Sequence, residues 1–158
     1  MILATVGMQL PFPRLMAALD RLAPLLGARV LAQTGPDTGR YPGLETVERL
    51  LPQDFAVAVA QARVIVAHAG IGTVLTAKAA CKPLILFPRR HALGEHRNDH
   101  QIATARQLQG ERGLHVAWGE ADLERLLRAP ALAGMTAAPG PHAPALIAHI
   151  RDFIDEGR

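Results

Sequence analysis

Residues 63–101 read RVIVAHAGIGTVLTAKAACKPLILFPRRHALGEHRNDHQ, and this block decides the fold. Val64–Ala67 is a continuous apolar run, followed by a glycine turn at Gly70 and Gly72 and then a small-residue helix reaching about Cys81. Leu84–Phe87 is a second apolar run closed by Pro88. The loop from Arg89 to Gln101 is crowded with His, Glu, Asp and Gln. Hydrophobicity that is continuous instead of alternating marks strands buried on both faces, as in parallel sheets covered by helices. Ligands of such sheets bind outside the carboxyl ends of the strands, where the turn and the loop both emerge. A strand-to-helix turn leaves backbone N–H groups unpaired at the positive end of the helix dipole, which suits an anionic phosphate. Gly70 and Gly72 have no Cβ to hold such a ligand away. A phosphate turn beside a loop of groups suited to hydroxyls points to a nucleotide diphosphate carrying a sugar.

Working outward, Ile2–Val6 is a strand ending at Gly7, and Pro13–Leu26 carries apolar residues at helical spacing. Ala28–Ala32 reads as a second strand, and Gln33–Gly43, with its glycines and prolines, as an exposed loop. A short strand within Glu45–Leu51 precedes a helix opened by Pro52 and running through Ala62. Beyond the block, Asn98–Leu108 is expected to be helical, Leu114–Ala117 a last strand and Glu120–Leu127 a helix with acidic residues in its first turn. This alternation predicts an α/β, doubly wound, Rossmann-like domain with a parallel sheet and right-handed crossovers. The domain is expected over 1–129, with 130–158 a Pro-rich linker and a helix from about Ala145 to Asp155 that packs on the domain or on a partner.

Composition bounds the function. At 158 residues there is room for one such domain, not two. Hydrophobic residues at 49% and charged residues at 20% describe globular material. Aromatic content of 4% leaves too few rings for a single-strand stacking platform, so no nucleic-acid partner is expected. A formal charge of +3 suits a phosphate-rich ligand or an anionic membrane surface, without choosing between them. Met1–Phe12 has no basic start and is interrupted by Gln9, Pro11 and Pro13, so neither a signal peptide nor a membrane span is expected, and the chain reads as cytoplasmic. The lone cysteine, Cys81, reads as a small packed residue.

Individual residues carry competing readings. His68 ends a strand before the glycine turn and suits either a core imidazole or a site group. Thr73 places a hydroxyl at the helix start, for capping or for phosphate. Arg89 and Arg90 suit a diphosphate or a solvated loop edge. Asp99, His100 and Gln101 open a helix, so part of their polarity serves capping, while the Gln101 carboxamide both donates and accepts and so matches sugar hydroxyls. His91, His96 and His100 with Glu95 and Asp99 lack a familiar ligand spacing such as HExxH, so no metal is expected. Only GxG is present, with no acidic residue about 20 positions on at a strand end, which argues against a nicotinamide cofactor.

HAGIGT at 68–73, KPLILFPRR at 82–90 and GEHRNDHQ at 94–101, followed by an alanine-containing helix, resemble the C-terminal domain of glycosyltransferase family 28. The likeness is to its small stand-alone members, of the bacterial exopolysaccharide and dolichol-linked N-acetylglucosaminyltransferase types. TVGMQLPFPRL at 5–15 resembles their TVGTxxxxFDRL opening and VLAQTG at 30–35 their second strand, so that the likeness covers roughly Met1–Ala129. The resemblance implies one half of a GT-B fold, serving as the donor-binding subunit of an inverting, metal-independent hexosyltransferase. The donor would be a UDP-sugar and the acceptor lipid-linked, in polysaccharide synthesis. A membrane-anchored acceptor-binding subunit would complete the enzyme and recruit this chain to the inner face of the cytoplasmic membrane. Carried onto this chain, Gly7, Gly70, Gly72 and Thr73 would face the diphosphate, with Arg89 beside it. His100 and Gln101, with Glu95 and Asp99, would face the donor sugar. The base is expected at the interface or from the partner subunit, with His68 and His100 the candidates on this chain. Met8 replaces the usual Thr and Pro13 an Asp, and Thr76 stands where many relatives carry a ribose-binding Glu. Against the enzyme stands a non-catalytic nucleotide-sugar-binding or scaffold subunit.

Overall fold

The computed structural model describes residues 1–137. Six strands and five helices alternate along them: β1 (Ile2–Thr5), α1 (Pro13–Leu26), β2 (Val30–Gln33), β3 (Glu45–Val47), α2 (Pro52–Gln61), β4 (Val64–Ala67), α3 (Ile71–Ala79), β5 (Leu84–Leu86), α4 (His100–Leu108), β6 (Leu114–Val116) and α5 (Glu120–Arg128). A short 3-10 turn, His91–Leu93, lies in the loop after β5. All strands are parallel in one sheet of order β3-β2-β1-β4-β5-β6. The expected doubly wound Rossmann-like domain is what forms, and the helix expected at Ala145–Asp155 lies outside the described residues.

The continuous apolar runs behave as their pattern requires: β1, β2, β4 and β5 are buried at every residue. Because strand side chains alternate, each run serves two cores. Ile2, Ala4, Val64, Val66 and Ile85 face α1 and α5, meeting Leu15, Met16, Leu19, Leu123 and Leu127. Leu3, Ile65, Leu84 and Leu86 face the other way, meeting Ala58 and Val59 of α2, Val74 and Ala77 of α3 and Ala105 of α4. Full burial of such aliphatic side chains contributes about 1.5–3 kcal/mol each, so these two layers carry most of the fold's stability.

Boundaries moved where backbone geometry outweighs composition. β2 starts at Val30 instead of Ala28, because Gly27 caps α1 in the left-handed region (φ +55°) and pairing with β1 begins only at the Arg29 carbonyl, which accepts from the Ile2 N–H. α3 starts at Ile71, so Gly72 is its second residue and not part of the turn before it. α4 starts at His100, not Asn98. α1 contains Pro24 near its end, which frees the Asp20 carbonyl of a helical partner. The Asp20 carboxylate turns to accept the Gly43 N–H at 2.7 Å, anchoring the end of the loop that follows β2.

Candidate functional site

The strand order reverses between β1 and β4, and at this switch point neighbouring loops part to leave a crevice over the carboxyl edge. Gly7, just after β1, has φ +78°, a conformation that favours glycine. A Cβ there would lie 3.0 Å from Cε1 of His68, and a Cβ on Gly70 would lie 2.4 Å from its Nε2. The imidazole is therefore clasped between two glycines from the two sides of the crevice. Gly70 makes room for His68, where the sequence suggested room for a ligand. Burial, and then the positive charge of Arg89, push the His68 pKa down to about 4, against an opposing effect of the Thr5 backbone. Its Nδ1 is buried with no hydrogen-bond partner among the described residues. At neutral pH this is an uncharged imidazole of low basicity, a wall of the site more than a proton acceptor.

Gly70 is the extended N-cap of α3. Its N–H donates to the His68 carbonyl at 2.8 Å, and its own carbonyl accepts from Thr73 and Val74 at 3.2 and 3.3 Å. Among the described residues no side chain caps this helix. The first-turn amides of Ile71 and Gly72 thus have no intrahelical or side-chain acceptor among the described residues, none of which comes within 4 Å of where a Gly72 Cβ would stand. This is a first turn prepared for an anion. Thr73 is half-buried beside it. One turn on, the Thr76 hydroxyl donates to the Gly72 carbonyl at 2.9 Å, which leaves its oxygen only as an acceptor for other groups.

The loop after β5 is where sequence and structure part most. Arg89 is 2% exposed, and its guanidinium reaches across the crevice to the β1 loop. It donates to the carbonyls of Pro11 (2.5 Å), Leu10 (2.7 Å) and Val6 (3.0 Å), with a longer contact to that of Glu95 (3.4 Å), and lies 4.4 Å from the centre of the Phe12 ring. Burial lowers its pKa and the Glu95 carboxylate opposes that, but a guanidinium remains charged. Its donors are thus spent on backbone and not held out to a diphosphate. Glu95 is likewise turned inward. Its carboxylate takes a bidentate pair from Arg14 (Nε 2.5 Å, Nη2 2.8 Å) and the Arg90 backbone N–H at 2.8 Å, which leaves little of it for a sugar. Arg14 also donates to the Pro88 carbonyl and stacks 4.3 Å from the centre of the Phe87 ring.

Gln101, 7% exposed, uses Oε1 to accept the N–H groups of Ala69 (3.2 Å) and Arg89 (3.1 Å), tying α4 to the exits of β4 and β5. Its Nε2 makes no hydrogen bond among the described residues and is the atom left for a ligand. Asp99 accepts the His91 N–H at 3.0 Å and does not cap its helix; the Asn98 carboxamide oxygen accepts the His100 N–H instead. His100 is exposed at the start of α4 and does not line the crevice. The crevice, about 260 Å³, is lined by Gly7, Met8, His68, Arg89, His96 and Gln101 among others. Through Gln9, Leu10 and His96 it is continuous with a larger groove beside Pro11, Leu93 and Arg97.

Gly7, His68, Arg89 and Gln101 are therefore brought together, with the α3 turn beside them, while Asp99, His100 and Glu95 are directed elsewhere. Arg14 and His96 are the additions. Arg14 sits in the FPRL stretch of the first motif, and its signal was a lone charge at the start of an apolar helix face. In the sequence His96 stands out only as one of a group of possible metal ligands, and among the described residues no three His, Cys, Asp or Glu side chains are grouped so as to hold a metal ion.

The model of the glycosyltransferase family 28 C-terminal domain matches residues 10–137. No curated protein sequence matches significantly. Among solved structures, the glycotransferase of kitacinnamycin is 18% identical with a TM-score of 0.58, over 96% of this chain and 38% of that one. Acinetobacter baumannii MurG is 19% identical with a TM-score of 0.59, over 95% of this chain and 48% of that one. The solution structure of ALG13 is 17% identical with a TM-score of 0.59, over 94% of this chain and 93% of that one. At these identities the likeness is one of fold, that of one Rossmann-like half of a GT-B architecture. The chain spans less than half the length of the first and second of these proteins.

Proposed function

Since the chain belongs to the glycosyltransferase family 28 C-terminal domain family, we infer that it binds the donor of an inverting glycosyltransferase that moves a sugar from a UDP-sugar to a lipid-linked acceptor in polysaccharide synthesis. The observation that carries this reading is the uncapped first turn of α3, open at Gly72 and set beside the His68–Gln101 crevice. Transfer leaves negative charge on the departing UDP, and the Ile71 and Gly72 amides with the α3 dipole are aimed at that charge without need of a metal. The Gln101 Nε2 donates to a hydroxyl of the transferred sugar, and Thr76 accepts from the ribose. His68, neutral and of low basicity, holds the two loops apart at the spacing the diphosphate requires. The base for the acceptor hydroxyl comes from a second subunit, membrane-anchored and carrying the acceptor site, that recruits this chain to the inner face of the cytoplasmic membrane. Among the described residues no helix is long and apolar enough to cross a membrane.

The test is calorimetric titration of the 158-residue chain with UDP, a UDP-sugar and NAD, beside Gln101→Glu. That substitution keeps an oxygen for the Ala69 and Arg89 amides and removes the Nε2 donor. UDP and UDP-sugar are expected to bind and NAD not. Gln101→Glu should lower UDP-sugar affinity about tenfold, for one lost hydrogen bond of about 1.4 kcal/mol, while moving UDP affinity less. Binding of NAD in place of UDP would overturn the reading.

A further inference from the structure

His96 is a crevice residue to which the donor reading gives no task. It is half-buried where the crevice meets the larger groove, and it lines both. Its Nδ1 lies 3.2 Å from the Asn98 backbone carbonyl oxygen and 3.1 Å from the Asn98 Oδ1. That Oδ1 accepts the His100 N–H at 3.2 Å, which marks it as the oxygen of the carboxamide. Two acceptors facing one ring nitrogen require a proton on it, so the neutral imidazole is the Nδ1–H tautomer and Nε2 carries a bare lone pair. This Nε2 makes no hydrogen bond among the described residues, and unlike the Nδ1 of His68 it is not sealed from solvent. The ring is also held from behind. Arg14 and the Arg90 N–H pin the neighbouring Glu95 carboxylate, and the His96 carbonyl accepts from the His91 Nδ1 at 3.0 Å. An acceptor fixed in this way loses little freedom when a ligand arrives. Its neighbours in the crevice do not supply one. The Gln101 Oε1 is filled by the Ala69 and Arg89 amides, the Arg89 guanidinium only donates, and Gln9 is exposed with no side-chain tie among the described residues.

We propose, resting on the donor reading above, that His96 is a specificity-determining residue whose Nε2 accepts a hydrogen bond from a hydroxyl of the transferred sugar. It complements the Gln101 Nε2, which donates. A sugar presents hydroxyls that both give and take hydrogen bonds, so a wall with an anchored donor and an anchored acceptor recognises them more fully than a donor alone. A deoxy or alkoxy position has no proton to give, leaves the lone pair desolvated and unpaired, and is rejected on that account. The tie to Asn98 fixes this choice, because the opposite tautomer would turn Nε2 into a second donor.

The full chain, His96→Asn and His96→Gln are titrated with UDP and with the tightest binder among UDP-glucose, UDP-galactose, UDP-N-acetylglucosamine and UDP-glucuronic acid. Asparagine can offer its N–H to the Asn98 oxygens in place of Nδ1 but has nothing at the Nε2 position, whereas glutamine extends a carboxamide oxygen there. His96→Asn should lower UDP-sugar affinity about fivefold and His96→Gln recover most of it, with UDP affinity within about twofold throughout. A residue that only held the loop would give the reverse order, Asn harmless and Gln damaging, and that result would overturn the proposal, as would equal UDP-sugar affinity of all three chains. Imidazole nitrogen-15 spectra are recorded where histidine is neutral, the His96 signals being those missing from His96→Asn. They should show the Nδ1–H tautomer and an upfield move of Nε2 on adding the UDP-sugar but not UDP. An Nε2–H tautomer, or an equal move with UDP alone, would also overturn the proposal. Binding of UDP and UDP-sugar with no response at His96 removes this role and leaves the donor reading standing, whereas a parent chain that binds no UDP removes both.

Discussion

Replacing Arg89 by methionine separates a latch from a ligand-binding arginine. The side chain keeps its length but loses every donor. The Val6 carbonyl is in a residue 2% exposed and would be stranded, a cost of about 1–3 kcal/mol. The Leu10 and Pro11 carbonyls belong to exposed residues and can rehydrate, so losing their bonds costs roughly 1 kcal/mol each. The expected destabilisation is about 3–5 kcal/mol, a large share of the roughly 5–15 kcal/mol that holds a domain together. For a chain of this size it corresponds to a fall in Tm of roughly 6–20 °C. Urea unfolding followed by circular dichroism gives the free energy, and UDP titration well below the new Tm gives the affinity of the fraction that remains folded. Stability within about 1 kcal/mol of the parent together with collapse of UDP binding would refute the latch, and would return Arg89 to the diphosphate role that its sequence suggested.

The two glycines of the α3 turn should behave oppositely. Gly70→Ala puts a methyl 2.4 Å from the His68 ring and should cost about 1–3 kcal/mol by overpacking. Gly72→Ala enters open space in a helix, so denaturation should show equal or slightly greater stability, by up to about 1 kcal/mol, while UDP titration shows weakened binding over the covered amides. A Gly72→Ala chain that binds UDP unchanged would remove the diphosphate from this turn. His68 makes stability depend on pH. Its folded pKa of about 4 lies below the 6.5 of an unfolded histidine, so above pH 6.5 both states are neutral and its contribution is full. Between pH 6.5 and 4 the unfolded chain takes up a proton that the folded chain refuses, and about 2–3 kcal/mol is lost. Unfolding midpoints measured from pH 7 to 4 should fall less steeply for His68→Asn than for the parent, and parallel curves would contradict the buried neutral imidazole.

The fold was legible because its signals are local. Pro13 at the first helical position and Gly27 just past the last bound α1 as the periodicity predicts, and the runs at 64–67 and 84–86 need no partner to declare themselves buried strands. Boundaries slipped where a single backbone conformation decides, as at Gly70, whose extended N-cap starts α3 before Gly72. The site was legible as loops but not as atoms. Glu95 and Arg14 are 81 positions apart, and nothing near either one shows that it is already paired. Gln101 stands out in the sequence for a carboxamide able to serve a sugar, and half of that carboxamide serves the Ala69 and Arg89 amides. Polar residues in a ligand loop hold the loop as often as they touch the ligand, and only tertiary contacts tell the two apart.

The clasp around His68 also limits how this site can change over generations. A side chain at Gly70 or Gly7 meets the imidazole, and one at Gly35 would bring its Cβ to 2.5 Å from the Gly7 carbonyl. These four positions come from three separate strand exits, yet a change at any one is tolerated only after another has yielded. They should be inherited as a unit, and a specificity change in this crevice is open chiefly at His96, Met8 and Gln9, which line it from outside the clasp.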